Sequence, residues 1–271
     1  MLELYQFELS PFSEKVRFIL DYKGLEYKKI EVTPGIGQLD VFKISGQRQL
    51  PVLKDSDTVI ADSTAIALYL DDKYPDSPLI PTDAIAKAQC LIMEQWADES
   101  FIVRTRKAFI SALNHYQNFR VSLLPNNIPD VLKNVVSAFP SEILTTIGTG
   151  VGLGNDIFKE AQENIKKDLD SLTLILENQP YLTGSAPTLA DFTVAAMSTL
   201  LKFPTTAYYD LPIDLEGKGI PDIADNSKYE FFFAWRDRLY ADYRQPLDKS
   251  SSDNFGGNSG SSNQPTTIEI E

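Results

Sequence analysis

The chain has 271 residues, 43% of them hydrophobic, and carries a net charge of -13; this is roughly two domains' worth, with enough apolar content for a sizeable core. The acidic excess argues against nucleic acid or an anionic membrane surface as partner, since both demand clustered Lys and Arg, and no apolar run approaches the length of a membrane span. With Cys90 and His115 the sole residues of their types, an intrachain disulfide, a cysteine zinc cluster and a CxxC redox pair are excluded, and no metal is expected.

Leu2-Glu3-Leu4-Tyr5 alternates as a strand does, and it follows Met1 without a basic n-region or an apolar h-region, so a cytoplasmic location is expected. Phe12, Val16, Ile19 and Leu20 then recur at helical spacing until Gly24 ends the helix. Tyr27 to Val32 reads as a second strand, and a short helix covers about Gln38 to Ser45. Pro51–Lys54 and Thr58–Ile60 form two short strands around an Asp55-Ser56-Asp57 turn, and a helix runs from about Ser63 to Lys73. The order β-α-β-α-β-β-α is that of the thioredoxin fold, an α/β layer on a mixed sheet, and it bounds a first domain at residues 1–76.

Strand signals fade beyond Asp76-Ser77-Pro78, and residues 83–247 read as an all-α domain. One long helix is expected from Asp83 to about Tyr116. A second spans Asn155 to Glu177, where Ile165, Leu169, Leu172 and Leu176 fall at i, i+4, i+7 and i+11. A third starts after Thr188, with Asp191 placed to complete a capping box. An aromatic-rich helix covers about Lys228 to Tyr243. Two segments stand apart. Residues 119–154, punctuated by Pro125, Pro129, Pro140 and the glycines of GTGVGLG, read as an insert with short helices of its own. Residues 248–271 are Ser/Gly/Asn-rich and are expected to be disordered.

Three blocks carry a family resemblance. ELYQFELSPFSEKVRFILDYKGLEYKKIEV, QLPVLKDSDTVIADSTAIALYLDDKYP and YLTGSAPTLADFTVAA occur in that order across most of residues 2–200. They resemble the glutathione transferases, the serine-type tau and zeta classes in particular. The resemblance implies a thioredoxin-like glutathione-binding domain followed by an all-helical domain, glutathione as co-substrate, a small hydrophobic electrophile as second substrate, and a homodimer.

Within it, Ser10 takes the catalytic position: its hydroxyl donates to the glutathione sulfur and, with the N-terminus of the following helix, favours the thiolate. Ser10-Pro11 is equally an ordinary N-cap followed by proline at N1, and both readings stand at the level of sequence. Ser13 and Tyr5 are the rival positions. Because Ser10 and Ser13 occupy both places of a Cys-x-x-Cys, thiol–disulfide exchange is excluded. Pro51 matches the family's cis-proline, which lets Leu50 offer its main chain to the cysteinyl part of glutathione like an added strand. Asp62 and Ser63 would take the γ-glutamyl ammonium and carboxylate, the latter at a helix N-terminus; Asp62 is one methylene shorter than the glutamate more usual there, and the pair are also competing N-caps. Gln49 is a candidate for the glycyl end and Arg48 for its carboxylate, although Ser45-Gly46-Gln47 replaces the family's usual Asn-Pro nearby. Phe109, Tyr116, Phe203, Tyr208 and Tyr209 are either core or the lining of an electrophile pocket; Cys90 is read as a buried core thiol.

Two functions follow. One is a glutathione transferase that activates the thiol through Ser10. The alternative is a non-catalytic binding or adaptor protein on the same fold, working through the insert or the alternating apolar-acidic end of the tail.

Overall fold

A computed structural model describes residues 1–32, 37–122, 155–211 and 213–247. The insert beyond residue 122 and the tail from 248 lie outside these residues. The first domain comprises β1 (Leu2–Gln6), α1 (Pro11–Tyr22), β2 (Tyr27–Glu31), α2 (Gln38–Ser45), β3 (Val52–Asp55), β4 (Thr58–Ala61) and α3 (Ser63–Lys73). The sheet runs β2-β1-β3-β4, with β1 parallel to β2 and the other neighbours antiparallel. The expected mixed sheet is therefore present. Parallel pairing of β1 and β2 requires a crossover, and α1 supplies it. Gly24 ends α1 at φ +65°, where a Cβ would be strained.

The second domain comprises α4 (Ala84–Trp96), α5 (Ile102–His115), α6 (Gln117–Ser122), α7 (Asn155–Leu176), α8 (Leu189–Met197) and α9 (Glu230–Tyr243). The single helix expected from Asp83 to Tyr116 is interrupted: a π turn at Ala97–Phe101 separates α4 from α5. Such turns widen the helix by one residue and are common next to functional sites. This one directs Phe101 fully into the core and sets Asp98 against the first domain. Ile165, Leu169, Leu172 and Leu176 of α7 are all buried, as their spacing requires.

Both domains share one core. Phe18 of α1 lies 5.6 Å from Phe192 of α8 and 4.6 Å from Tyr240 of α9, and Tyr22 packs on Phe192 and Tyr243. Full burial of a ring such as Phe18, Phe192 or Tyr240 is worth about 1.5–3 kcal/mol, so the helix that follows Ser10 is seated in the second domain as well as in the first. Among the aromatics weighed as pocket lining, Tyr209 and Phe203 are buried in this packing. Tyr209 belongs to the shared core, with Arg17 of α1 over its ring, whereas Phe203 packs against Phe109 of α5. Cys90 is likewise buried.

Candidate functional site

Strand register gathers the site. Tyr5 pairs with Val52, and Val52 with Ala61, so β1 ends, β3 begins and β4 ends at one edge of the sheet. Adjacent strands are about 4.8 Å apart, which places the loop after β1, the residues before β3 and those after β4 within roughly 10 Å of one another. Ser10, Leu50-Pro51 and Asp62-Ser63 are those residues. The Leu50–Pro51 bond is cis, as the resemblance implied, and Leu50 precedes the first paired residue of β3. Two helices, α1 and α3, also begin at this edge, so their partial positive ends converge there.

The Ser10 loop is held from several sides. Ser10 donates its N–H to the Phe7 carbonyl at 2.9 Å, and its hydroxyl oxygen accepts from the Ser13 N–H at 3.4 Å, an N-cap arrangement with Pro11 at N1. Ser13 is fully buried and its hydroxyl accepts from the Phe7 N–H. Arg17, also fully buried, donates to the Glu8 carbonyl at 2.8 Å and to the Glu8 carboxylate at 3.0 Å, while the Glu8 N–H donates to Glu31. Behind the loop, Glu14 is enclosed between Arg17 and Arg244. Burial pushes its carboxyl pKa up, but the charges of Arg17 and Arg244 outweigh that and hold it below the usual value.

At the α3 start the two competing caps are distinguished. Asp62 is the N-cap, its carboxylate accepting from the N–H groups of Thr64 and Ala65 at 2.9 Å each. Its φ of +81° is rare outside glycine, and such a conformation costs about 1–3 kcal/mol where the surroundings impose it. Ser63 is instead the first helical residue, 2% exposed, with its hydroxyl directed at Asp98 Oδ1 at 3.5 Å. Asp98 in turn accepts from Lys15 Nζ at 2.9 Å, and Lys15 also donates to Thr64 at 2.8 Å and to Glu94 at 2.5 Å. One fully buried ammonium thus ties α1, α3 and α4 together.

The remaining positions are less engaged. Gln49 and Arg48 are exposed, and Arg48 stacks on Phe42 of α2. Tyr5 and Leu50 pack against Val32, Val41 and Val52 on the α2 side of the sheet. Phe109 packs edge-on against Phe119 and Phe203, and Tyr116 donates to Asp222. Sequence reading missed Lys15, Glu94, Asp98 and Arg17. The i, i+4 spacing of Glu94 and Asp98 was the one visible hint, since it places two carboxylates on one helical face.

Residues 4–78 match the glutathione S-transferase N-terminal domain and residues 155–238 the glutathione S-transferase C-terminal domain, together more than half of the chain. The chain belongs to the glutathione S-transferase family. Glutathione S-transferase Z2 of Arabidopsis thaliana is 45% identical over 85 residues, 30% of this chain and 38% of that protein; the chain thus matches about two fifths of the length of such curated relatives. Protein LigF of Sphingobium sp. strain SYK-6 is 26% identical over 89% of this chain and 90% of its own. Its crystal structure, a beta-etherase, superposes with a TM-score of 0.64 at 25% identity, covering 89% of this chain and 95% of that one. A theta-class glutathione S-transferase from Xanthomonas axonopodis pv. citri with glutathione bound shares the fold at a TM-score of 0.56 and 18% identity, over 89% of this chain and 93% of its own. Family members use glutathione as co-substrate. Among the described residues no helix is long and apolar enough to cross a membrane.

Proposed function

We propose that this chain is a glutathione transferase in which the Ser10 hydroxyl stabilises the thiolate of bound glutathione. The observation that carries the reading is the meeting of Ser10, Leu50-Pro51 and the α3 N-terminus at one sheet edge. A hydroxyl has one hydrogen to donate and two lone pairs to accept with, so Ser10 can cap α1 through its oxygen while its hydrogen points at sulfur. The main chain of Leu50 receives the cysteinyl unit as an added strand, and the γ-glutamyl carboxylate sits at the α3 N-terminus. Asp62 and Asp98 are the carboxylates near enough to its ammonium to balance it. In the reaction the thiolate forms a C–S bond with the electrophilic carbon, and the leaving group departs with the bonding electron pair.

The electrophile is small and apolar, as the family resemblance implies. An ether belongs among the substrates to be assayed, because the relative spanning nine tenths of both chains is a beta-etherase and displacement of an ether oxygen is the same substitution with another leaving group. A homodimer is part of this reading, supported by the exposure of Ile85 (70%) and Ile92 (69%) on α4; sedimentation would test it. The adaptor alternative draws support from the Ser63 hydroxyl and the Asp62 carboxylate already having partners within the chain.

Calorimetric titration of glutathione into the wild type and Ser10→Ala tests the site and the class together. We expect both to bind, with turnover at pH 7 about 10–100-fold lower in the variant and its pH–rate limb moved up by about 1–2 units, since each unit is worth about 1.4 kcal/mol. Binding with no turnover in the wild type would favour the adaptor, and an unmoved pH limb would remove Ser10 from the chemistry.

A further inference from the structure

The helical domain presents a cation against the helix that follows Ser10. Arg106 of α5 lies over the ring of Phe12, 4.9 Å from its centroid, and Phe12 is two residues past Ser10. Arg17, Arg104, Arg236 and Arg244 each donate to a carboxylate. Among the described residues Arg106 reaches no carboxylate at ion-pair distance. The acid nearest in effect is Asp98, which shares Lys15 with Glu94 and so feels Arg106 only through space. Arg106 offsets the acid that Lys15 leaves over in this cluster, but makes no direct ion pair with it, so its N–H groups are uncommitted. Phe12 covers one side of the guanidinium, and burial lowers its pKa despite the opposing field of Asp98. One turn further along α5, Phe109 packs edge-on against Phe119 and Phe203.

Arg106 is an exposed residue, and a guanidinium backed on one side by an aromatic ring keeps its N–H fork free; that fork matches a carboxylate in two places at once. We infer that Arg106 receives an anionic group on the electrophile, so that the second substrate is an apolar or aromatic electrophile bearing a carboxylate. The inference rests on the transferase reading and narrows its substrate class. Arg106 acts on specificity: it holds the substrate's far end while the glutathione thiolate attacks the carbon near Ser10, expelling the leaving group.

The test uses the full-length protein with 4-chloro-3-nitrobenzoate and 4-chloro-3-nitrobenzamide. These share ring and leaving group and differ in charge; in each, the C–S bond replaces the C–Cl bond and chloride leaves. After division by the uncatalysed rates, the wild type should prefer the benzoate by about tenfold or more in kcat/KM, as a charge-assisted hydrogen bond implies. Arg106→Gln should abolish the preference and leave the benzamide rate within about twofold, whereas Arg106→Lys should keep part of it. Equal losses on both substrates, or no preference in the wild type, would overturn the assignment. The two S-aryl glutathione products, titrated calorimetrically, give the same comparison without turnover. Tighter binding of the carboxylate product that Arg106→Gln removes supports the assignment, and equal affinities with glutathione binding intact overturn it alone. Failure to bind glutathione or either product overturns it together with the transferase reading.

Discussion

Lys15 shows what a single buried charge does at this site. Its ammonium is fully enclosed and meets Glu94, Asp98 and Thr64 at 2.5–2.9 Å. Because Ser63 leans on the same Asp98, the position of the α3 N-terminus relative to Ser10 depends on it. Lys15→Met would leave Glu94 and Asp98 facing each other without a counter-charge. We expect a loss of about 3–5 kcal/mol in urea unfolding, and in the folded fraction a weaker affinity for glutathione by calorimetry. Unchanged affinity would mean that α3 keeps its place without Lys15. Beyond the i, i+4 spacing of Glu94 and Asp98 none of this was legible in the sequence, where Lys15 is one more charged residue in an amphipathic helix. A sequence shows that a side chain is charged but not which distant helix carries its partner. Ser10, Pro51 and Asp62 were singled out through the family resemblance, and for Ser10 and Asp62 a helix cap was also readable from the residues themselves. Even there the choice between Asp62 and Ser63 as cap needed coordinates, since it turns on the φ of one residue.

The capping box at the start of α8 was legible from Thr188 and Asp191 alone, and the helix begins where those residues predicted. The sequence did not reveal how deeply it lies. Asp191 is fully buried and its carboxylate accepts from the N–H groups of Thr188 at 2.8 Å and Leu182 at 2.7 Å. Asp191→Ala leaves both donors unpaired in the core and should cost about 2–4 kcal/mol by chemical denaturation. Burial, opposed by these hydrogen bonds, raises the carboxyl pKa to about 6 from 3.8. A raised acid binds its proton more tightly in the folded state, so its contribution is fully present below the unfolded value and is lost as pH rises to about 6. Asp191→Asn should flatten the stability profile across that window, and an unaltered slope would assign the pH dependence to other groups. By contrast, the break between α4 and α5 had no sequence signature. Helical periodicity continues across Ala97–Phe101, and one extra residue in a turn shifts the phase too little to be seen in so short a run.

At the scale of the molecule, the two domains are joined by charge as well as by aromatic packing. Arg244, just past the end of α9, donates to Glu14 at 3.0 Å, to Asp21, and to the Tyr208 carbonyl at 3.1 Å. Arg244→Met should remove about 3–5 kcal/mol, because Asp21 would then be a buried carboxylate without its cation. The lowered pKa of Glu14 also sets a direction. Its stabilising contribution is present above 4.5, the unfolded value, and is lost as pH falls through the folded one. In Arg244→Met the acid unfolding limb should move to higher pH, and coincident limbs in the two proteins would show that Arg17 alone suffices. The division into an α/β and an all-α domain was readable from the change in periodicity near residue 76, yet the clamp between them was not, since its members stand 230 residues apart. That separation bears on synthesis. A ribosome that has made the thioredoxin-like domain has made Glu14 and Asp21 but not Arg244, so in the emerging domain Glu14 has Arg17 alone, and Asp21 awaits the cation that follows α9. The helix behind Ser10 can therefore complete its ion pairs only once residue 244 has left the exit tunnel, and until then the nascent first domain is the stage exposed to misassembly.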